Sequence, residues 1–186
     1  MLTTIVTILL LSQTIDAVCR GYVKINDGNQ CGKEQTIFNE GECNCCYYDS
    51  LGIPTIGIGF NIKPDSTART LAKYGLDRSK VLTDCVKSSS NHCLTDKAAR
   101  EIFSATSYAE AETCVNSYAP NLTGSKRGAI VDMAFNLGCA KLKQFKKLQA
   151  ALKSKDWKQA SKEMHDSVWC QQVGRRCIRN QNCILT

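Results

Sequence analysis

Apolar positions along this chain fall into two kinds of run, one alternating and several at helical spacing. Residues 33–41 suit a short helix with Ile37 and Phe38 turned inward and Gly41 closing it. A small β-region follows over about residues 45–61, and Lys63-Pro64 ends it. Its last part, TIGIGF, alternates apolar residues with glycine and reads as a strand with an open face. Residues 65–84 and 95–118 are predicted to be helical. In the second stretch Thr95 is placed to cap, and Ile102, Phe103, Thr106, Ala109, Cys114 and Val115 track one face, until Pro120 breaks it. Residues 125–137 form an apolar helix through Ala129, Ile130, Met133, Ala134 and Leu137, without a clean polar face, and are expected to lie centrally. Leu142, Phe145, Leu148 and Leu152 stripe the next helix, whose other side is rich in lysine, and residues 157–168 add one more. The pattern predicts an α+β protein: a small β-containing N-terminal lobe, a larger helical lobe and a cleft between them.

A length of 186 residues suits one domain in two lobes. Residues 1–17 carry an apolar run with Ala17 at a cleavage position, so they read as a signal peptide and 18–186 as the mature domain. The run is too short for a comfortable membrane anchor, since a spanning helix takes about 20 residues. All twelve cysteines lie beyond Ala17: Cys19, Cys31, Cys43, Cys45, Cys46, Cys85, Cys93, Cys114, Cys139, Cys170, Cys177 and Cys183. An even, high count in an exported chain predicts six disulfides. Residues 18–33 read as a loop tied down by Cys19 and Cys31. The cluster at Cys43, Cys45 and Cys46 also raises zinc, but there is no second paired cluster and His92 and His165 are remote, so no metal is expected. Adjacent residues of an extended chain point to opposite faces, so Cys45 and Cys46 should reach different partners.

The formal charge of +7 becomes +8 once residues 1–17 and Asp16 are removed. Such a protein is attracted to polyanions, bacterial walls among them. No compact basic motif with interleaved aromatics points to nucleic acid, and no further segment is apolar enough for stable membrane association. A secreted monomer is expected.

The chemistry concentrates in EGECNCCYYDSLGIPTIGIGF, from Glu40 to Phe60. Asp49 stands nine residues after Glu40, and Thr55 six after that. Two carboxylates flanking one cleft are what glycosidic cleavage needs, one protonating the leaving oxygen and the other serving water or the sugar cation. Glu42 and Glu34 are the competing glutamates. An isolated Asp before Ser-Leu-Gly is ordinarily a turn residue.

This segment resembles the catalytic region of the phage-type lysozymes: Glu40-Gly41, then Tyr47-x-Asp49, then Gly52, Thr55, Gly57 and Gly59, with no insertion or deletion. GAIVDMAFNLG, from Gly128 to Gly138, is similar to the family's central buried helix, and FKKLQAALKSKDW and SVWCQQVGRRC follow at family-like distances. The resemblance implies Glu40 as general acid, held protonated by surroundings that oppose its ionisation, and Asp49 with Thr55 holding a water on the opposite sugar face, hence inversion. It places Arg176 as the arginine that orients the acid, with Arg175 as the neighbouring alternative, and Phe135 and Asn136 in the cleft. Phe60 replaces a histidine common in the family. Asn61, Leu148 and Glu163 fall at substrate-contact positions but differ from the phage residues. The function implied is a secreted muramidase acting on bacterial peptidoglycan, without a cofactor, in defence or digestion. The alternatives are a chitin-directed glycosidase on the same fold and a non-enzymatic cationic wall-binding protein.

Overall fold

A computed structural model describes residues 31–186. The leader and loop readings before residue 31, and Cys19 with them, lie outside the described residues. Two compact units emerge: Glu40–Phe103, and residues 31–39 together with Ser104–Thr186. Helices dominate, and the N-terminal part holds a small antiparallel sheet, the α+β class predicted.

In the first unit, β1 (Cys43–Tyr48), β2 (Pro54–Gly57) and β3 (Phe60–Asn61) pair in sequence order. Tyr47 lies opposite Thr55, Thr55 lies opposite Asn61, and the β1–β2 register is irregular between Cys43 and Tyr47. TIGIGF is therefore not one strand. Gly57 and Gly59 sit at φ 66° and 68°, a left-handed region that reverses the chain between β2 and β3 and that other residues rarely enter. A Cβ on Gly57 would also stand 3.2 Å from Leu94 and 3.3 Å from Ala99, so no side chain fits there without displacing the core.

The predicted helix over 65–84 is two helices, α2 (Thr67–Ala72) and α3 (Arg78–Lys87). Leu76 N–H closes on Leu71 O around Gly75, and the Asp77 carboxylate then accepts from Lys80 N at 3.0 Å to start α3. The helix over 95–118 also divides, into α4 (Asp96–Ala105) and α5 (Ser107–Tyr118), at Thr106 with φ −117° and ψ −105°. That break resets the helical phase, so Tyr108 and Ala111 are buried whereas Thr106 and Ala109 are only half-buried. Thr95 caps α4 as predicted, accepting from Ala98 N at 3.2 Å.

Three short strands need a buried apolar face or a packed helix to be stable. Here Ile56, Ile62, Leu71, Val81, Leu94 and Ile102 form the core beneath them. Cys45–Cys93 and Cys46–Cys85 staple β1 covalently, with different partners as predicted. Beside them Asp84 is buried and accepts from Ser89 Oγ at 2.6 Å, His92 N at 2.7 Å and His92 Nδ1 at 3.0 Å. The Ser89 hydroxyl first, and His92 after it, pull its pKa down to about 2 against the opposing effect of burial.

The second unit is built on α6 (Gly124–Leu137), whose residues from Gly128 to Ala134 are all buried, as its missing polar face predicted. A Cβ on Gly128 would come within 2.6 Å of the Gly32 backbone, so only glycine permits that approach. α1 (Lys33–Glu40) precedes the sheet. The Leu142–Leu152 stripe spans two helices, α7 (Cys139–Leu142) and α8 (Lys146–Lys153), with the non-helical Phe145 between them. α9 (Trp157–His165) is shorter than expected, because Ser167 caps a new helix by accepting from Cys170 N at 3.1 Å. The tail, which the sequence pattern left unassigned, forms α10 (Val168–Val173) and α11 (Arg175–Leu185).

Cys31–Cys183, Cys114–Cys139 and Cys170–Cys177 bind this unit. The first joins residues 152 apart, and chain-entropy loss in the unfolded state makes such a link worth about 5 kcal/mol. Cys43 is disulfide-bonded as well, and among the described residues no cysteine is free.

Candidate active site

Glu40 is the last residue of α1 and is half-buried. Gly41, at φ 78°, takes the left-handed turn that ends the helix and starts the chain toward β1. The Glu-Gly pair thus has a local cause: the glycine lets the chain leave the helix immediately after the carboxylate.

The β1–β2 turn shapes Asp49. Its N–H donates to Ile53 O at 3.0 Å and its carbonyl accepts from Gly52 N at 2.9 Å. Side-chain Oδ1 accepts from Leu51 N at 2.8 Å and Ile53 N at 2.9 Å. Asp49 is a turn residue through one oxygen, which fixes its side chain and leaves Oδ2 as the second acceptor. Thr55 is 3% exposed, and its hydroxyl donates to Ile53 O at 3.0 Å. With its hydrogen so engaged, Oγ1 faces any further partner as an acceptor.

Tyr47 ties these groups together. It is the cross-strand neighbour of Thr55, and Asp49 follows two residues on, just past the end of β1. Burial first, and then the negative charges of Glu40 and Asp49, push its phenol up to about 12. Both carboxylates therefore act on one ring. Asn61, across from Thr55, is exposed, and its Oδ1 accepts from Lys63 N at 2.8 Å. Glu42 is fully buried and pairs with Arg100 at 3.2 Å, a structural ion pair that explains the competing glutamate.

Other candidates belong to the helical unit. Arg176 grips the fully buried Asp132 with two charge-assisted bonds, Nε to Oδ2 at 2.9 Å and Nη2 to Oδ1 at 2.8 Å. Asn180 Nδ2 adds a bond to Oδ2 at 2.8 Å, and Asn39 Nδ2 one to Oδ1 at 3.2 Å. Arg175, the alternative, is exposed. Phe135 is half-buried and, with Ser107, Glu110 and Cys114, lines a hollow of about 190 Å³. Asn136 is exposed and its Oδ1 accepts from Trp169 Nε1 at 2.7 Å. Glu163 is half-buried and accepts from Gln159 Nε2 at 2.7 Å. Leu148 is 1% exposed. It is corrected from a sugar contact to a core residue, since it presents no surface to a ligand.

The phage lysozyme family model matches residues 38–180, a span that begins just before Glu40 and ends past Arg176. The chain belongs to the phage lysozyme family. It is 29% identical over 161 residues to probable T4-type lysozyme 1 of Dictyostelium discoideum, covering 83% of this chain and 93% of that one. Probable T4-type lysozyme 2 of the same organism is 25% identical over 152 residues, with 79% and 89% coverage. The pre-baseplate central spike protein Gp5 of Enterobacteria phage T4 is 27% identical over 144 residues, 75% of this chain but 25% of the spike protein. A lysozyme-family function follows at the level of the family.

Two residues, one in each unit, are not among the candidates that the sequence offers. Tyr47 enters the sequence reading only as a motif letter, although it stands just two residues before Asp49. Asp132 had a signal too: a lone acid in the middle of an apolar helix has to find a buried cation.

Proposed function

We propose that this chain is a secreted muramidase that hydrolyses the β-1,4 bond between N-acetylmuramic acid and N-acetylglucosamine in bacterial peptidoglycan, with inversion. The observation that carries the reading is the grouping of Glu40, Asp49 and Thr55 around Tyr47.

In this mechanism Glu40 gives its proton to the glycosidic oxygen as the bond to the anomeric carbon lengthens. A water on the opposite face donates one hydrogen to Asp49 and the other to Thr55 Oγ1, which aims a lone pair at that carbon. As the new C–O bond forms, the water's proton passes to Asp49. The Thr55 hydrogen bond to Ile53 O supports this division of labour, because it commits the hydroxyl hydrogen elsewhere. Arg176 is the proposed orienting residue for the acid, with Asp132 fixing the arginine's plane. Phe135, Asn136, Asn61 and Glu163 are the proposed sugar contacts. The disulfides favour an oxidising compartment and so an exported enzyme.

The test is Glu40→Gln, which keeps shape and removes the transferable proton. Clearing of a bacterial wall suspension should fall by about 10²–10⁴-fold with the thermal midpoint unchanged. Parental clearing by that variant would refute acid catalysis and favour a cationic wall-damaging protein.

A further inference from the structure

The positive charge of this chain is not spread over it. Residues 141–162 contain eight lysines, no arginine and one acid, Asp156, so these 22 residues carry +7, the formal charge of the whole chain. The other 164 residues hold sixteen basic and sixteen acidic groups and are neutral.

The fold displays that charge outward. Lys141, Lys143, Lys146, Lys147, Lys153, Lys155, Lys158 and Lys162 are all exposed. On α8 the lysines stand opposite the buried Leu148, Ala151 and Leu152, and on α9 opposite Ala160 and Met164. The two helices pack on each other, so their outward faces are neighbours. Asp156 is already subtracted in that +7, and its carboxylate caps α9, accepting from Gln159 N at 3.0 Å. Among the described residues none of the eight lysines makes an ion pair.

We propose that this lysine face docks the phosphate-bearing polyol polymer of bacterial walls, holding the enzyme on the surface it digests. This inference rests on the muramidase reading and deepens it. Charge complementarity selects a polyanion. The large exposed apolar side chains, among them Leu51, Val86, Val168 and Ile178, all lie outside residues 141–162, so the face lacks the apolar anchors of a membrane-lying helix. It also lacks arginine and an exposed aromatic stacking platform, the groups that read bases or stack on single strands. Lysine is a flexible point charge that suits widely spaced phosphates.

The experiment compares Lys146→Gln/Lys147→Gln/Lys153→Gln/Lys158→Gln with a control carrying Lys63→Gln/Lys73→Gln/Lys80→Gln/Lys87→Gln. Both are made in the Glu40→Gln background, so that walls are not consumed, and co-sedimented with walls bearing or stripped of poly(glycerol phosphate). The α8–α9 variant should bind phosphate-bearing walls at least about tenfold more weakly and with a shallower salt dependence, while the control binds as the parent. Stripped walls should bind all forms equally weakly. In the Glu40-intact background the α8–α9 variant should still cleave a soluble, phosphate-free wall fragment at the parental rate. Equal loss in both sets would reduce the effect to net charge and overturn the proposal. So would equal binding to stripped walls, or tighter binding to anionic vesicles or DNA than to poly(glycerol phosphate). Loss of soluble-fragment turnover in Glu40→Gln bears on the catalytic reading alone, and an unchanged docking curve in that variant leaves the two separable.

Discussion

The N-terminal and helical units reach order by different means. The first has three strands, the longest six residues, and relies on covalent staples at Cys45 and Cys46, on the Asp84 clasp and on glycines that make each reversal. The second has a fourteen-residue helix buried along its middle, and it places a charged pair, Asp132 with Arg176, inside that apolar packing. Short local bonds hold the proposed water-holding groups, Asp49 and Thr55, whereas long-range packing holds the proposed orienting arginine. A lesion in the first unit should therefore change the chemistry at modest cost in stability, and one in the second should act through the fold.

The largest stability effect is expected at Asp132. Removing one partner of a buried ion pair strands the other, so Asp132→Ala should destabilise by about 3–5 kcal/mol in urea unfolding. Replacing both charges, as Asp132→Leu with Arg176→Met, should recover much of that loss while leaving wall clearing low. Recovery of clearing along with stability would deny the arginine its orienting role.

Asp84 sharpens the contrast by pH. Its folded pKa of about 2 lies below the ordinary 3.8, so the stability it contributes is present above pH 3.8 and is lost as pH falls through about 2. Unfolding curves across that window should flatten in Asp84→Asn, whereas a slope identical to the parent's would remove the clasp from the account. The subtlest effect is at Tyr47. Its phenol, at about 12, should titrate earlier when Asp49→Asn or Glu40→Gln removes a neighbouring charge, as read by ultraviolet absorbance. No change in either variant would separate the carboxylates from that ring.

The same division explains what could be read from sequence. Glu40-Gly41, the Asp49 turn and the Thr95 cap are local patterns whose residues lie within a few positions of one another. The helix breaks at Gly75, Thr106 and Phe145 were missed because apolar periodicity continued across them while the backbone changed phase. The pairing of Arg176 with Asp132, 44 residues apart, is not legible locally, since the resemblance offers Arg176 only as a partner of the acid, and the tail helices α10 and α11 are obscured by reading the tail as cysteines rather than as periodic segments. Leu148 went wrong for a related reason: a position in a motif does not say which way a helix turns its face.

The most direct test of the catalytic account is the configuration of the first product released from a soluble peptidoglycan fragment, followed by proton NMR before mutarotation. A water held by Asp49 and Thr55 opposite Glu40 predicts the α-anomer. The β-anomer would mean net retention and would contradict that assignment.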